Sequence, residues 1–251
     1  MAAAIEPVPT DNLRGFMDTP ELAAAIAALG AETVARRLAT RLTPERRERI
    51  ETALRSRVDS LHVAIEATHD PHNAAAVLRT AEALGVGTVH MIATTIPLSR
   101  RITRGSSYWA ETREHGDWGA FVAALPPGMQ VAGACVDVGT VELAAVPVDR
   151  PMCIVFGSEQ AGISAQARAG CGLHFRIPMF GMAESLNLSV AAGIAMHALL
   201  ERRRAVLGAV GDLSAEELAQ RRARWYAKTI DARLARHALG LAADALKDGE
   251  S

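Results

Sequence analysis

The chain has 251 residues, 49% of them hydrophobic, and a formal net charge of −1. That composition allows a substantial core, argues against a uniformly basic nucleic-acid binder, and leaves no apolar run of membrane-spanning length, because Gly, His and charged residues interrupt every one. No basic segment followed by an apolar one opens the chain, which predicts no secretion signal and a cytoplasmic protein.

Residues 1 to about 20 are polar and Pro-containing and predict a loose arm. From Pro20 a helical pattern runs through Leu38. Thr43-Pro44-Glu45 is a second helix start, a cap followed by Pro at the first helical position, for a helix to about Arg57. Leu61–Ile65 reads as a strand. Asp70-Pro71 caps a helix that carries Ala74, Val77, Ala81 and Leu84 on one stripe, and Gly85 ends it. Thr88–Ala93 is a second strand, Trp118–Leu125 a helix, and Gln130–Val136 a third strand. Met152–Phe156 is continuously apolar, which predicts a strand buried on both faces. A short helix over Ser164–Ala169 and a strand over Leu173–Ile177 follow. Ala191–Leu200 is apolar on nearly every face, so a buried helix is expected there, with His197 a hydrogen-bonded core residue. A last helix spans Ser214–Ala238. The alternation predicts an α/β protein: a mostly parallel sheet with helices on both faces over residues 58–204, flanked by helical extensions over 1–57 and 205–251.

Cys135, Cys153 and Cys171 are odd in number and far apart, and read as buried reduced thiols rather than a disulfide framework or metal site. Arginine is clustered: Arg36 to Arg57, then Arg100, Arg101 and Arg104, then Arg202 to Arg204, then Arg221 to Arg236. Solvated helix faces explain any one cluster, with Glu45, Glu48 and Glu51 as helical partners. Four together make a phosphate-rich partner plausible.

In an open α/β sheet, ligands bind beyond the carboxyl ends of the strands. Three loops fit that place: "HDPHN" (His69 to Asn73), "FGSEQAGIS" (Phe156 to Ser164), and the polar stretch from Gly181 to Asn187. Ser185 and Asn187 there read either as helix caps or as ligand contacts. Arg79 lies off the apolar stripe of its helix and, taken alone, is a surface arginine facing Glu82 or water. Glu159, taken alone, is a solvated loop carboxylate. His69 and His72 read as structural or substrate contacts. No phosphate-loop, zinc or serine-elbow motif occurs, so no catalytic metal is expected.

"NAAAVLRTAEALGV" (Asn73 to Val86), "IVFGSEQAGIS" (Ile154 to Ser164) and "IPMFGMAESLNLSVAAGIAMHAL" (Ile177 to Leu199) resemble the three ordered motifs of the SPOUT superfamily, SpoU/TrmH branch. "GSSYW" (Gly105 to Trp109) and the basic "LTPERRERIETALRSR" extend the likeness, which is strongest to the branch acting on guanosine-18 of the tRNA D-loop. The resemblance implies an S-adenosylmethionine-dependent ribose 2′-O-methyltransferase, a C-terminal trefoil knot, and a homodimer with its active site near the interface. It implies that Ala134, Gly157, Ile177 and Leu186 bind S-adenosylmethionine. Arg79 matches the catalytic arginine, and Asn73, Glu159, Ser185 and Asn187 match the polar pocket. Arg46, Arg47, Arg49 and Arg104 are candidate RNA contacts, and the tail with Trp225 and Tyr226 would bind tRNA or pack on the dimer. A ribosomal RNA methyltransferase and a non-enzymatic RNA-binding protein are the alternatives.

Overall fold

The computed structural model describes residues 16, 19–68, 70–94, 109–136 and 139–241. In chain order its elements are α1 (Pro20–Leu29), α2 (Ala31–Ala39), α3 (Pro44–Arg55), β1 (Val58–Glu66), α4 (Pro71–Leu84), β2 (Val86–Ile92), β3 (Glu111–His115), α5 (Trp118–Ala123), β4 (Gln130–Ala134), β5 (Val141–Glu142), β6 (Met152–Phe156), α6 (Ala165–Gly170), β7 (Leu173–Arg176), α7 (Leu188–Leu207), α8 (Ala215–Thr229) and α9 (Ala232–Leu239). Two compact units result: Ser56–Asp212, and a helical unit from the described residues of Met1–Arg55 and Leu213–Ser251.

Ser56–Asp212 holds one sheet in the order β3-β2-β1-β6-β4-β7-β5, parallel at every pairing. β6 is buried throughout, as its unbroken apolar run requires. One face packs Leu61, Val63 and Ile65 against α4 and α7; the other packs Ala64 and Val155 against Trp118, Phe121 and Ala167. Helices therefore cover both faces. β3 escaped the sequence reading because "ETREH" has no apolar alternation; it is an edge strand, paired on one side only, and needs none.

Other expectations need correction. The helix from Pro20 to Leu38 is two helices, because Gly30 leaves the helical region. The helix from Ser214 to Ala238 also breaks, at the extended Ile230, and Asp231 caps α9. α7 is not buried all round: Val190 is 49% and Ile194 42% exposed, and His197 is exposed, not a core residue. Cys153 and Cys171 are buried thiols, but Cys135 is only partly buried.

The arginines closing α7 are spent largely on backbone carbonyls of the core. Arg202 donates to the carbonyls of Leu143 and Val146 at 3.1 and 2.6 Å. Arg203 donates to Val148 O at 2.9 Å and Ser60 Oγ at 2.8 Å. Arg204 donates to Leu84 O at 2.8 Å, Val210 O at 2.9 Å and Ser56 O at 3.2 Å. The Asp212 carboxylate accepts from the backbone of Asp59 and from the Ser60 hydroxyl, closing the amino end of β1. Arg57 likewise is buried and turns inward to Val86 O and Glu82, so Glu82 is not Arg79's partner.

Within the helical unit, Trp225 and Tyr226 are buried, not presented to RNA. Tyr226 donates to Glu51 at 2.7 Å, and Arg222 grips the same carboxylate at 2.7 and 3.0 Å. Burial pushes the Glu51 carboxyl up, but the bonds from Arg222 and Tyr226 and the charges of Arg222 and Arg55 outweigh it and hold it below the usual range.

Three parallel neighbours also line up a histidine ladder. His62 of β1 and His90 of β2 share a hydrogen bond of 3.0 Å, and His90 and His115 of β3 one of 2.9 Å. Burial, and then the nearness of His62, His115 and Arg113, push His90 down from 6.5 to about 3. Unfolded, the same ring takes its proton near pH 6.5. The His90 contribution is thus full above that value and drains away as pH falls toward 3, by up to about 1.4 kcal/mol per pH unit. Urea unfolding at pH 7 and pH 4.5 should therefore show a smaller loss in His90→Gln than in the parent. An equal loss in both would place the acid sensitivity elsewhere.

Candidate active site

The site forms where β1, β4, β6 and β7 end. Leaving β1, the chain turns through Ala67, which has a left-handed φ of 49° and donates its N–H to Ile92 O. Such a φ is costly for alanine and is held by its surroundings. Asp70 then caps α4, its carboxylate accepting from His72 N at 2.8 Å, and Pro71 occupies the first turn. These local rules set Asn73 in the first turn of α4, at the carboxyl edge of the sheet.

Asn73 joins two distant segments. Its Nδ2 donates to Glu159 Oε1 at 2.5 Å, and its Oδ1 accepts from Asn187 Nδ2 at 3.0 Å. Asn187 Oδ1 in turn caps α7, accepting from Ser189 N at 2.9 Å, Ser189 Oγ at 2.6 Å and Val190 N at 3.4 Å. The capping reading of Asn187 is realised by its side-chain oxygen, while its amide nitrogen is engaged by Asn73.

Beside this chain of bonds lies a cavity of 360 Å³. Ala134, Gly157, Ile177 and Leu186 all line it, with Phe156 and Phe175 among its apolar walls and Glu159 and Ser185 among its polar groups. The loop from Gly157 to Ile163 closes on itself. Ser158 N donates to Gly162 O at 3.1 Å, Gly162 N to Ser158 O at 2.9 Å, and Ala161 N to Ser158 Oγ at 3.2 Å. Gly157 permits this closure: a Cβ there would stand 1.9 Å from the carbonyl of Gly162. Apolar walls, a few convergent polar groups and this volume suit one small-molecule ligand. An adenine-bearing molecule fits, since its faces accept apolar contact and its edge seeks backbone donors and acceptors.

Not every expected residue joins the cluster. Arg79 is exposed on α4, and no partner of its side chain is described. Ser185 lines the cavity, with no hydrogen bond of its own described. Arg46, Arg47 and Arg49 lie on α3 of the helical unit, where Arg47 also bonds Tyr226. Arg104, Arg100, Arg101, Gly105 to Tyr108, and His69 lie outside the described residues. Sequence reasoning gave no role to Glu66 and Ser164, whose mutual hydrogen bonds join residues 98 apart, nor to Ser189, which donates locally to Asn187.

The chain is similar to known proteins. The family model described as "SpoU rRNA Methylase family" matches residues 60–197. The chain is 36% identical over 168 residues to the tRNA (guanosine(18)-2'-O)-methyltransferase of Escherichia coli (strain K12), covering 64% of this chain and 72% of that protein. Among solved structures it resembles the A. aeolicus TrmH/SpoU tRNA modifying enzyme, with a TM-score of 0.65 at 28% identity over 73% of this chain and 95% of that one. It also resembles an AdoMet-bound rRNA methyltransferase from Sinorhizobium meliloti, with a TM-score of 0.52 at 28% identity over 57% of this chain and 56% of that one.

Proposed function

We propose that this chain, which belongs to the SpoU rRNA methylase family, methylates a ribose 2′-hydroxyl of tRNA, at the guanosine-18 named for its relative. It is a methyltransferase that uses S-adenosylmethionine. The observation carrying the residue assignments is that Ala134, Gly157, Ile177 and Leu186 line one cavity, while Asn73 ties Glu159 and Asn187 together beside it.

In that cavity S-adenosylmethionine would supply an activated methyl group, held by backbone groups and apolar walls. What the chain must add is position, and a path for the hydroxyl proton. Glu159 Oε1 is engaged by Asn73, which leaves Oε2 to accept from the ribose hydroxyl. Asn187, fixed by its own cap, keeps Asn73 from turning away, and Ser185 adds a hydroxyl to the cavity lining. Arg79 is an exposed cation with five donors and suits a backbone phosphate, gripped bidentately, better than it suits proton abstraction. Arg46, Arg49 and Arg104 would add phosphate contacts of the ordinary, sequence-independent kind.

A homodimer is supported by large apolar side chains left uncovered in the C-terminal part of the core: Phe180 is 98% and Met182 101% exposed, and Val190 and Ile194 of α7 are exposed as well. We infer a trefoil knot in the C-terminal part of the core, and a cytoplasmic location, from family membership. The ribosomal alternative would sit better with a compact α/β RNA-binding module before the core; the described residues there form α1, α2 and α3 instead.

Incubation with labelled S-adenosylmethionine and an unmodified tRNA transcript should place a 2′-O-methyl group on guanosine-18. Label in ribosomal RNA alone would reassign the substrate, and failure to bind the methyl donor would overturn the enzymatic reading. Arg79→Lys separates two roles for that residue. As a phosphate anchor it should weaken tRNA binding about tenfold, because lysine cannot grip bidentately, with the single-turnover rate of the saturated complex nearly unchanged. A collapsed rate at full saturation would make Arg79 the base.

A further inference from the structure

We propose that Glu66 is a positioning residue for the methyl-donor cavity, acting through Ser164 on the loop that forms one wall. Glu66 ends β1 and is only 5% exposed. Both its oxygens are spent on one residue: Oε1 accepts from Ser164 Oγ at 2.6 Å and Oε2 from Ser164 N at 2.8 Å. Ser164 Oγ itself accepts from Ala167 N at 3.0 Å, capping α6. A carboxylate can only accept, so the hydroxyl donates toward Glu66, as does the amide. Only a carboxylate offers two acceptors to two donors; a glutamine in the same place turns an NH₂ toward one of them.

A buried carboxylate is costly to desolvate, so its position needs a reason. Ser164 is the residue at which the Gly157–Ile163 loop, whose every residue lines the cavity, re-enters regular structure. The same β1–α4 segment holds that loop at a second point, through Asn73 and Glu159. Asn73 grips it on the substrate side and Glu66 at its far end. Glu66 lines neither wall nor floor, so its influence on the ligand passes through the loop.

The proposal rests on the cavity being the methyl-donor site, and its test separates the two. Binding of S-adenosylmethionine is measured by calorimetry, and the Michaelis constants for donor and tRNA are measured separately, in the full chain and in Glu66→Gln, Ser164→Ala and the double variant. Glu66→Gln is isosteric and Ser164 is exposed, so both variants should fold where Glu66→Ala fails. Glu66→Gln should weaken donor binding about tenfold and raise the donor Michaelis constant alike, leaving that for tRNA within about twofold. Adding Ser164→Ala to it should cost little more, because the two changes remove one linkage. Unchanged donor affinity with a lowered melting temperature would overturn the proposal, reducing the contact to a structural clasp. Equal rises in both Michaelis constants would overturn it too. If the unaltered chain binds no donor, the reading of the cavity falls, and this proposal with it.

Discussion

Gly157→Ala should give a folded chain that binds S-adenosylmethionine about a hundredfold more weakly, the scale of loss that ångström misplacement brings. The added Cβ would lie 1.9 Å from Gly162 C and O and 2.1 Å from Ile163 N. These are backbone atoms of the same closed loop, so no side chain can swing aside. The Ser158–Gly162 bridge has to open, carrying the cavity wall with it. β6 ends at Phe156 and is untouched, so circular dichroism should stay that of the parent. Gly116→Ala is the natural control, since its Cβ would meet nothing within 4 Å. Normal donor affinity in Gly157→Ala would mean that the loop is not the donor's wall.

Arg203→Leu should destabilise the chain by about 3 kcal/mol without touching RNA affinity. The guanidinium is buried, bonded to Val148 O and to the Ser60 hydroxyl that Asp212 also holds. Leucine fills the space but leaves a carbonyl and a hydroxyl–carboxylate pair short of a donor, and bonds to charged groups are worth about 1.5–3 kcal/mol each. For a chain of this size the melting temperature should fall by roughly 6–12 °C. Ser60 lies near the amino end of β1 and the site at its carboxyl end, so tRNA affinity below the transition should match the parent. Lost tRNA affinity with an unchanged melting temperature would restore Arg203 to the phosphate-binding set.

Where a signal was local, the sequence showed it. Asp70-Pro71 and Gly85 bracket α4 because capping chemistry is a matter of adjacent residues. The unbroken run from Met152 to Phe156 names a strand covered on both sides, and the structure covers it. Where the deciding partner is remote, nothing local could show it. The three arginines from Arg202 look like any basic helix end until the carbonyls of Leu84, Leu143 and Val148 are brought to them. Ile194 looks like core, and is surface, because apolarity reports a wish for burial and not which partner supplies it. The link between Asn73, Glu159 and Asn187 is of the same remote kind. Family resemblance supplied the residues, and only the folded sheet supplies their hydrogen bonds.

That remoteness bears on how the protein is made. Asn73 and Asn187 are 114 residues apart, and Glu66 and Ser164 are 98. At ribosomal rates of about 5–20 residues per second, β1 and α4 wait roughly 6–20 s for the first residue of α7. During that interval Asn73 has no Asn187 to hold it, and the cluster at the sheet's carboxyl edge stays open. A copy that stops short of α7 therefore lacks the bond that joins both ends of the core, and the cluster closes only in chains translated past Asn187.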